Sequence, residues 1–151
     1  MAERPETSFP QAAGVLGFAG ALPFVALAGL SFYDNVNVSL QSIEILRLYG
    51  ALILSFLGGI HWGLALGAAV PSLAASWRRY AVSVVPALWG WAAMLAPTYR
   101  GLIVLAVGFV LLLAYDIFAA RGSEAPAWYP RLRLPLTAIV VSCLLLAAYR
   151  F

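Results

Sequence analysis

The chain contains no lysine, one cysteine, one histidine and six acidic residues among 151. Each scarcity removes a class of function. Cys143 sits inside the last apolar run with no Cys or His near it in sequence, so neither a disulfide framework nor a cysteine-based zinc site can be assembled. One histidine cannot make a bis-histidine haem site or a zinc site; a single axial ligand is the most it could supply. All nine basic residues are arginines at the ends of apolar runs, and they form no contiguous basic face of the kind nucleic acid requires. The sequence shows no paired carboxylates, no nucleophile beside a base and no metal triad. It therefore outlines no enzyme and implies no cofactor.

What is present is apolar. Hydrophobic residues make up 64% of the chain and charged residues 10%, with a mean hydropathy of +0.93. A soluble domain has about 45–50% apolar and about 25% charged residues. The composition predicts an all-α integral membrane bundle forming a single membrane domain over residues 1–151, with the lipid bilayer as its solvent. Five transmembrane helices are expected, over about 12–32, 43–67, 80–96, 101–120 and 134–149, near the roughly 17–25 residues needed to cross a bilayer. Breakers mark the connections: Asp34, Asn35 and Asn37, then Pro71 and Ser72, then Pro97, then Gly122 to Pro130. Ser42 is a candidate N-cap for the second span. An odd number of spans excludes a simple pair of inverted halves. Ala26, Leu27 and Ala28 read as a small-x-small cleavage site, but Glu3 and Glu6 offset Arg4 and the apolar stretch is long, so a retained span is expected.

With five spans, Arg4, Arg78, Arg79, Arg121, Arg131 and Arg133 share the amino-terminal side, and Arg47, Arg100 and Arg150 the other. Six arginines against three predict an amino terminus inside the cell. Trp77 and Trp128 then fall beside the inner headgroups.

The second span carries two signals. Gly59, Gly63 and Gly67 repeat every four residues, a spacing that lets another helix approach at backbone distance, either within the chain or across a homo-oligomer seam. Arg47, Leu54 and His61 lie seven apart and share a face away from those glycines; Arg47 and His61 are separated by about 21 Å along the axis. Glu44, one turn earlier, can pair with Arg47. An ionisable group at membrane depth marks a functional-site hypothesis. His61 can serve as a proton acceptor or ligand contact, or as a neutral imidazole that fixes helix register.

Asp116 falls in the last turns of the fourth span, disfavoured there by the helix dipole and by the membrane. It should be anchored by His61 or by one of Arg78, Arg79, Arg121, Arg131 and Arg133. In the third span Pro86, Trp89, Gly90 and Trp91 fall near the middle, where indole N–H groups need acceptors. They could line a cavity or fill space left by small neighbours. Pro23 suggests a kink in the first span.

The stretches YGALILSFLGGIHWG (49–63), YDIFAARG (115–122) and APAWYPRLRLPLT (125–137) closely resemble a family of small polytopic membrane proteins known only as a domain of unknown function, which includes mitochondrial transmembrane protein 69 and many proteobacterial members. The likeness covers about 12–149. Residues matching its motifs are Tyr49, Gly58, Gly59, His61, Trp62, Tyr115, Asp116, Trp128, Tyr129 and Arg133. It implies a multi-pass protein of the bacterial inner membrane or mitochondrial inner membrane, and transfers no catalytic role. The resulting expectation is a non-enzymatic accessory or assembly subunit held by other membrane protein subunits. The alternative is a small transporter or ligand-binding protein whose polar-aromatic pocket gathers His61, Trp62, Asp116, Trp89 and Trp91.

Overall fold

The computed structural model describes residues 9–69 and 72–150. Glu3, Arg4, Glu6 and Pro71, which entered the leader, topology and turn assignments, lie outside the described residues. Among the described residues five helices follow one another: α1 (Gln11–Leu30), α2 (Val36–Gly67), α3 (Leu73–Leu95), α4 (Thr98–Arg121) and α5 (Tyr129–Tyr149). Four of them, α1, α2, α4 and α5, are long and apolar enough to cross a membrane. α3 has the length, at 23 residues, but carries Ser76, Arg78 and Arg79 in its first two turns and is not among these four.

The helix boundaries have local causes. α2 starts seven residues earlier than the apolar run suggests, because Asn35 and not Ser42 is its N-cap. The Asn35 Oδ1 accepts from the Asn37 and Val38 N–H groups at 3.0 and 3.4 Å. Ser42 instead turns its hydroxyl back to the Ser39 carbonyl at 2.7 Å inside the helix. Ser72 caps α3 by accepting from the Ala75 N–H at 3.2 Å. Pro97 precedes α4, whose first turn needs no donor from it. α5 begins five residues before the apolar run, with Pro130 in its first turn, so Arg131 and Arg133 are helical rather than loop residues.

α2 is the central element and touches each of the other four helices. Its buried face runs through Ile43, Leu46, Leu54 and Leu57 and meets Phe24 of α1, Leu105 and Phe109 of α4 and Leu144 of α5 in one cluster. Tyr49 ties α1 to it by donating to the Gly20 carbonyl at 2.9 Å. α1 is the most peripheral of the four apolar helices, with 22% of its most apolar window buried against 44% in each of the others.

The contact between α2 and α3 passes through Gly58. A Cβ there would meet the Ser83 carbonyl oxygen at 2.5 Å and the Pro86 ring at 3.3 Å. Gly59, Gly63 and Gly67, expected to seat a neighbouring helix, are exposed instead, and a Cβ on any of them would meet no described atom within 4 Å. The reason is rotation: one residue turns a helix by about 100°, so a seam on Gly58 directs Gly59 away from α3. The tight pair within the chain exists, built on the adjacent glycine.

Candidate functional site

At the end of the bundle where α2 and α4 finish and α5 begins, three ionisable side chains meet away from solvent. Asp116 is fully buried, His61 is 6% exposed and Arg133 is 5% exposed. The His61 Nε2 stands 2.6 Å from Asp116 Oδ1, and the Arg133 Nε donates to Asp116 Oδ2 at 2.9 Å. The tautomer of His61 sets which partner donates in the shorter contact; an ionised Asp116 only accepts, from Nε2. Both expected kinds of anchor are therefore used at once, one on each oxygen. Charge-assisted bonds of this kind are about twice as strong as neutral ones.

Two aromatic rings wall the cluster. The His61 ring lies edge-on to Tyr115 at 5.1 Å and to Tyr129 at 6.3 Å between centroids. Tyr129 and Arg133 are one turn apart on α5, Tyr115 and Asp116 are neighbours on α4, and His61 comes from α2. Three helices thus contribute to a charged core that holds their register.

A second set of charges lies just outside it. Glu124, in the α4–α5 connection, is ion-paired with Arg78 and lies 3.6 Å from Arg79, both on α3. The connection folds back because the Glu124 N–H returns to the Ala119 carbonyl at 2.8 Å, after Ser123 takes a left-handed turn at φ 59°. Glu124 was not singled out in the sequence; its only signal was being the lone carboxylate of an otherwise neutral turn. At the opposite end Arg47 donates to the Met94 carbonyl at 2.8 Å and lies 3.7 Å from Glu44, as the spacing predicted. Glu44 also accepts from Thr98 at 2.6 Å, fastening the α3–α4 corner to α2.

The tryptophans do not join the charged cluster. Trp89 lines an apolar cavity of about 140 Å³ with Leu54, Pro86, Gly108 and Tyr115, and its indole donates to the Val104 carbonyl at 2.7 Å. Trp91 is 63% exposed on the outer side of α3. The two cannot share a pocket, since two residues along a helix are about 200° apart. Trp62 is 45% exposed and stacks edge-on with Tyr80 at 4.8 Å. The void bordered by His61, Tyr115, Arg79 and Glu124 has only about 10 Å³, room for no more than one water. The expected pocket thus divides into a dry cavity at Trp89 and a nearly closed polar crevice at His61, with Tyr115 bordering both.

Apolar helices turned outward, with ionisable side chains folded inward onto one another, define a multi-pass integral membrane protein. The chain belongs to the family described as Protein of unknown function (DUF3429), which it matches over residues 9–149. Transmembrane protein 69 of Xenopus tropicalis is 34% identical over 139 residues, covering 87% of this chain and 51% of that protein. Transmembrane protein 69 of Mus musculus is 29% identical over 132 residues, covering 86% and 52%. The chain spans about half the length of these curated relatives. No solved structure matches. The family resemblance is thereby established. Five of the residues it named, His61, Tyr115, Asp116, Tyr129 and Arg133, converge on the buried cluster.

Proposed function

We propose that the protein is a non-enzymatic accessory or assembly subunit of a larger complex in the bacterial inner membrane, crossing it five times with the amino end inside. The observation that carries this reading is the outer face of the second half of α2. There Gly59, Gly63 and Gly67 stand exposed with no described atom within 4 Å of where a Cβ would lie, beside the exposed Trp62. Small residues at four-residue spacing, with none of the described residues against them, leave room for the helix of another subunit. The cluster supports the same reading, because its charges close on one another and border a void too small for a substrate. The length of α3 and its seam with α2 support the fifth crossing, and the arginine distribution supports the orientation.

The test is native mass measurement of the tagged chain extracted from membranes in mild detergent, beside a Gly59→Leu/Gly63→Leu variant. Partner chains bound to the wild type and lost from the variant, with unchanged unfolding of the bundle, are expected. A lone chain, a multiple of its own mass, or partners retained by the variant would overturn the proposal. A second reading, a small ligand-binding or transport protein, is favoured by one observation: the groove between α1, α2 and α5, with Arg133 in its wall.

A further inference from the structure

Residues 122–128 join α4 to α5 and fold back beside the turn of α2 that carries His61. Ala125 is buried there with Ala119 and Tyr129, and Ile60 and Leu64, on either side of His61, pack against the same cluster. The Glu124 and Ala125 N–H groups both return to the Ala119 carbonyl, at 2.8 and 3.3 Å. From this fold Glu124 reaches across to α3, where it is ion-paired with Arg78 and lies 3.6 Å from Arg79. Arg78 also donates to the Tyr115 hydroxyl at 3.5 Å, and the Tyr115 ring stands against His61.

Exposure falls in steps along this path. The Arg78 side chain is 41% exposed, those of Glu124 and Arg79 are 15%, that of His61 is 6% and that of Asp116 is nil. The crevice bordered by His61, Tyr115, Arg79 and Glu124 holds only about 10 Å³, so among the described residues the connection and its two arginines shield the imidazole. The closure is not tight. Glu124 Oε2 and Arg79 Nε are buried, and neither has a hydrogen-bond partner among the described residues. Each is desolvated without compensation, and water would satisfy both once the connection lifted. The packing of Ala125 favours closure, and a partly exposed ion pair adds little to it.

We propose that the α4–α5 connection is a clasp over the buried cluster: with Glu124 held by Arg78 and Arg79 it shuts His61 off from water, and with Glu124 released it opens the crevice to the imidazole. The clasp thus governs when water, and the protons it carries, reach the His61–Asp116–Arg133 cluster. The inference goes beyond the accessory-subunit reading and does not rest on the glycine face, since it concerns access within a single chain.

The test uses the full chain in detergent and diethyl pyrocarbonate, which acylates a neutral imidazole nitrogen that it can reach. The chain has one histidine, so the modified peptide reports on His61 alone. The wild type should react slowly, and Glu124→Gln and Arg78→Gln should each react about tenfold faster, the weight of one charge-assisted hydrogen bond. Two variants separate access from electrostatics. Losing the Glu124 charge favours the neutral imidazole and losing the Arg78 charge favours the protonated one, so charge alone would move the two rates in opposite directions. The other groups facing His61, namely Asp116 and Tyr115 of α4, Tyr129 and Arg133 of α5 and Arg79 of α3, are unchanged in both. Unchanged rates, opposite changes, or a rise confined to one variant would overturn the clasp. The unfolding midpoint of each variant checks its fold, and a last measurement needs no variant. Salt at about 1 M, where the screening length is about 3 Å, should speed modification of the wild type severalfold, and indifference to salt would also overturn the proposal.

Discussion

Replacing Asp116 by asparagine tests the buried cluster most directly, because the side chain keeps its shape and loses only its charge. Asp116 accepts from His61 at 2.6 Å and from Arg133 at 2.9 Å and is fully buried. In the variant the Arg133 guanidinium stays buried without a counter-charge, a situation that costs about 3–5 kcal/mol. Scaled as for a domain of this size, that lowers the unfolding midpoint by roughly 6–20 °C. Denaturing-detergent titration in mixed micelles, followed by tryptophan fluorescence, gives the free energy directly. The double variant Asp116→Leu/Arg133→Met removes both charges and should recover to within about 1–2 kcal/mol of the wild type, since an apolar pair of similar volume often equals a buried ion pair. An asparagine variant within about 1 kcal/mol of the wild type, or a double variant whose loss is the sum of the two single ones, would refute the argument that the pair is desolvated and mutually dependent.

Three further outcomes follow from the helix contacts. Gly58→Ala should destabilise the bundle by about 1–3 kcal/mol, because its Cβ would collide with the Ser83 carbonyl, whereas Gly59→Ala, one residue on, should change the same unfolding measurement by no more than about 0.5 kcal/mol apart from a helix-propensity gain. Trp89→Phe removes the donor to the Val104 carbonyl and should cost about 0.6–1 kcal/mol, with the loss of one blue-shifted component of the tryptophan emission. Asn35→Ala removes the cap of α2 and should cost about 1 kcal/mol, read as faster amide exchange confined to Val36 through Leu40.

Apolar periodicity is a strong signal: α1 and α4 lie within about three residues of their expected bounds, whereas α2 and α5 begin seven and five residues early. The misses are at polar helix ends. Residues 36–42 are helical because Asn35 caps them and Ser39 donates to the Ser31 carbonyl at 2.5 Å, contacts that hydropathy does not register. Heptad spacing placed Arg47, Leu54 and His61 on one face, and all three are buried. It also separated them from Gly59, Gly63 and Gly67, yet spacing alone could not say which side faced protein; Gly58, on the buried side, was the seam. The need of Asp116 for a cation was clear from its place in the membrane. The choice of Arg133 from five arginines on one side was not, because it depends on how far α5 extends before its apolar run. Once α5 starts at Tyr129, Arg133 falls one turn along on the face of Leu132, Leu136 and Val140. Trp89 and Trp91, close in sequence, are far apart in space because two residues along a helix are about 200° apart.

The order of the three clustered residues along the chain also bears on how the protein is made. Synthesis delivers His61 first, then Asp116, then Arg133, with 55 residues between the first two and 17 between the last two. At about 5–20 residues per second, the guanidinium emerges roughly one to three seconds after the carboxylate. The imidazole is on α2, a helix made before α4 and in contact with it. Of the two contacts to Asp116, the one with His61 joins segments already made when the acid appears, and the one with Arg133 awaits the start of α5.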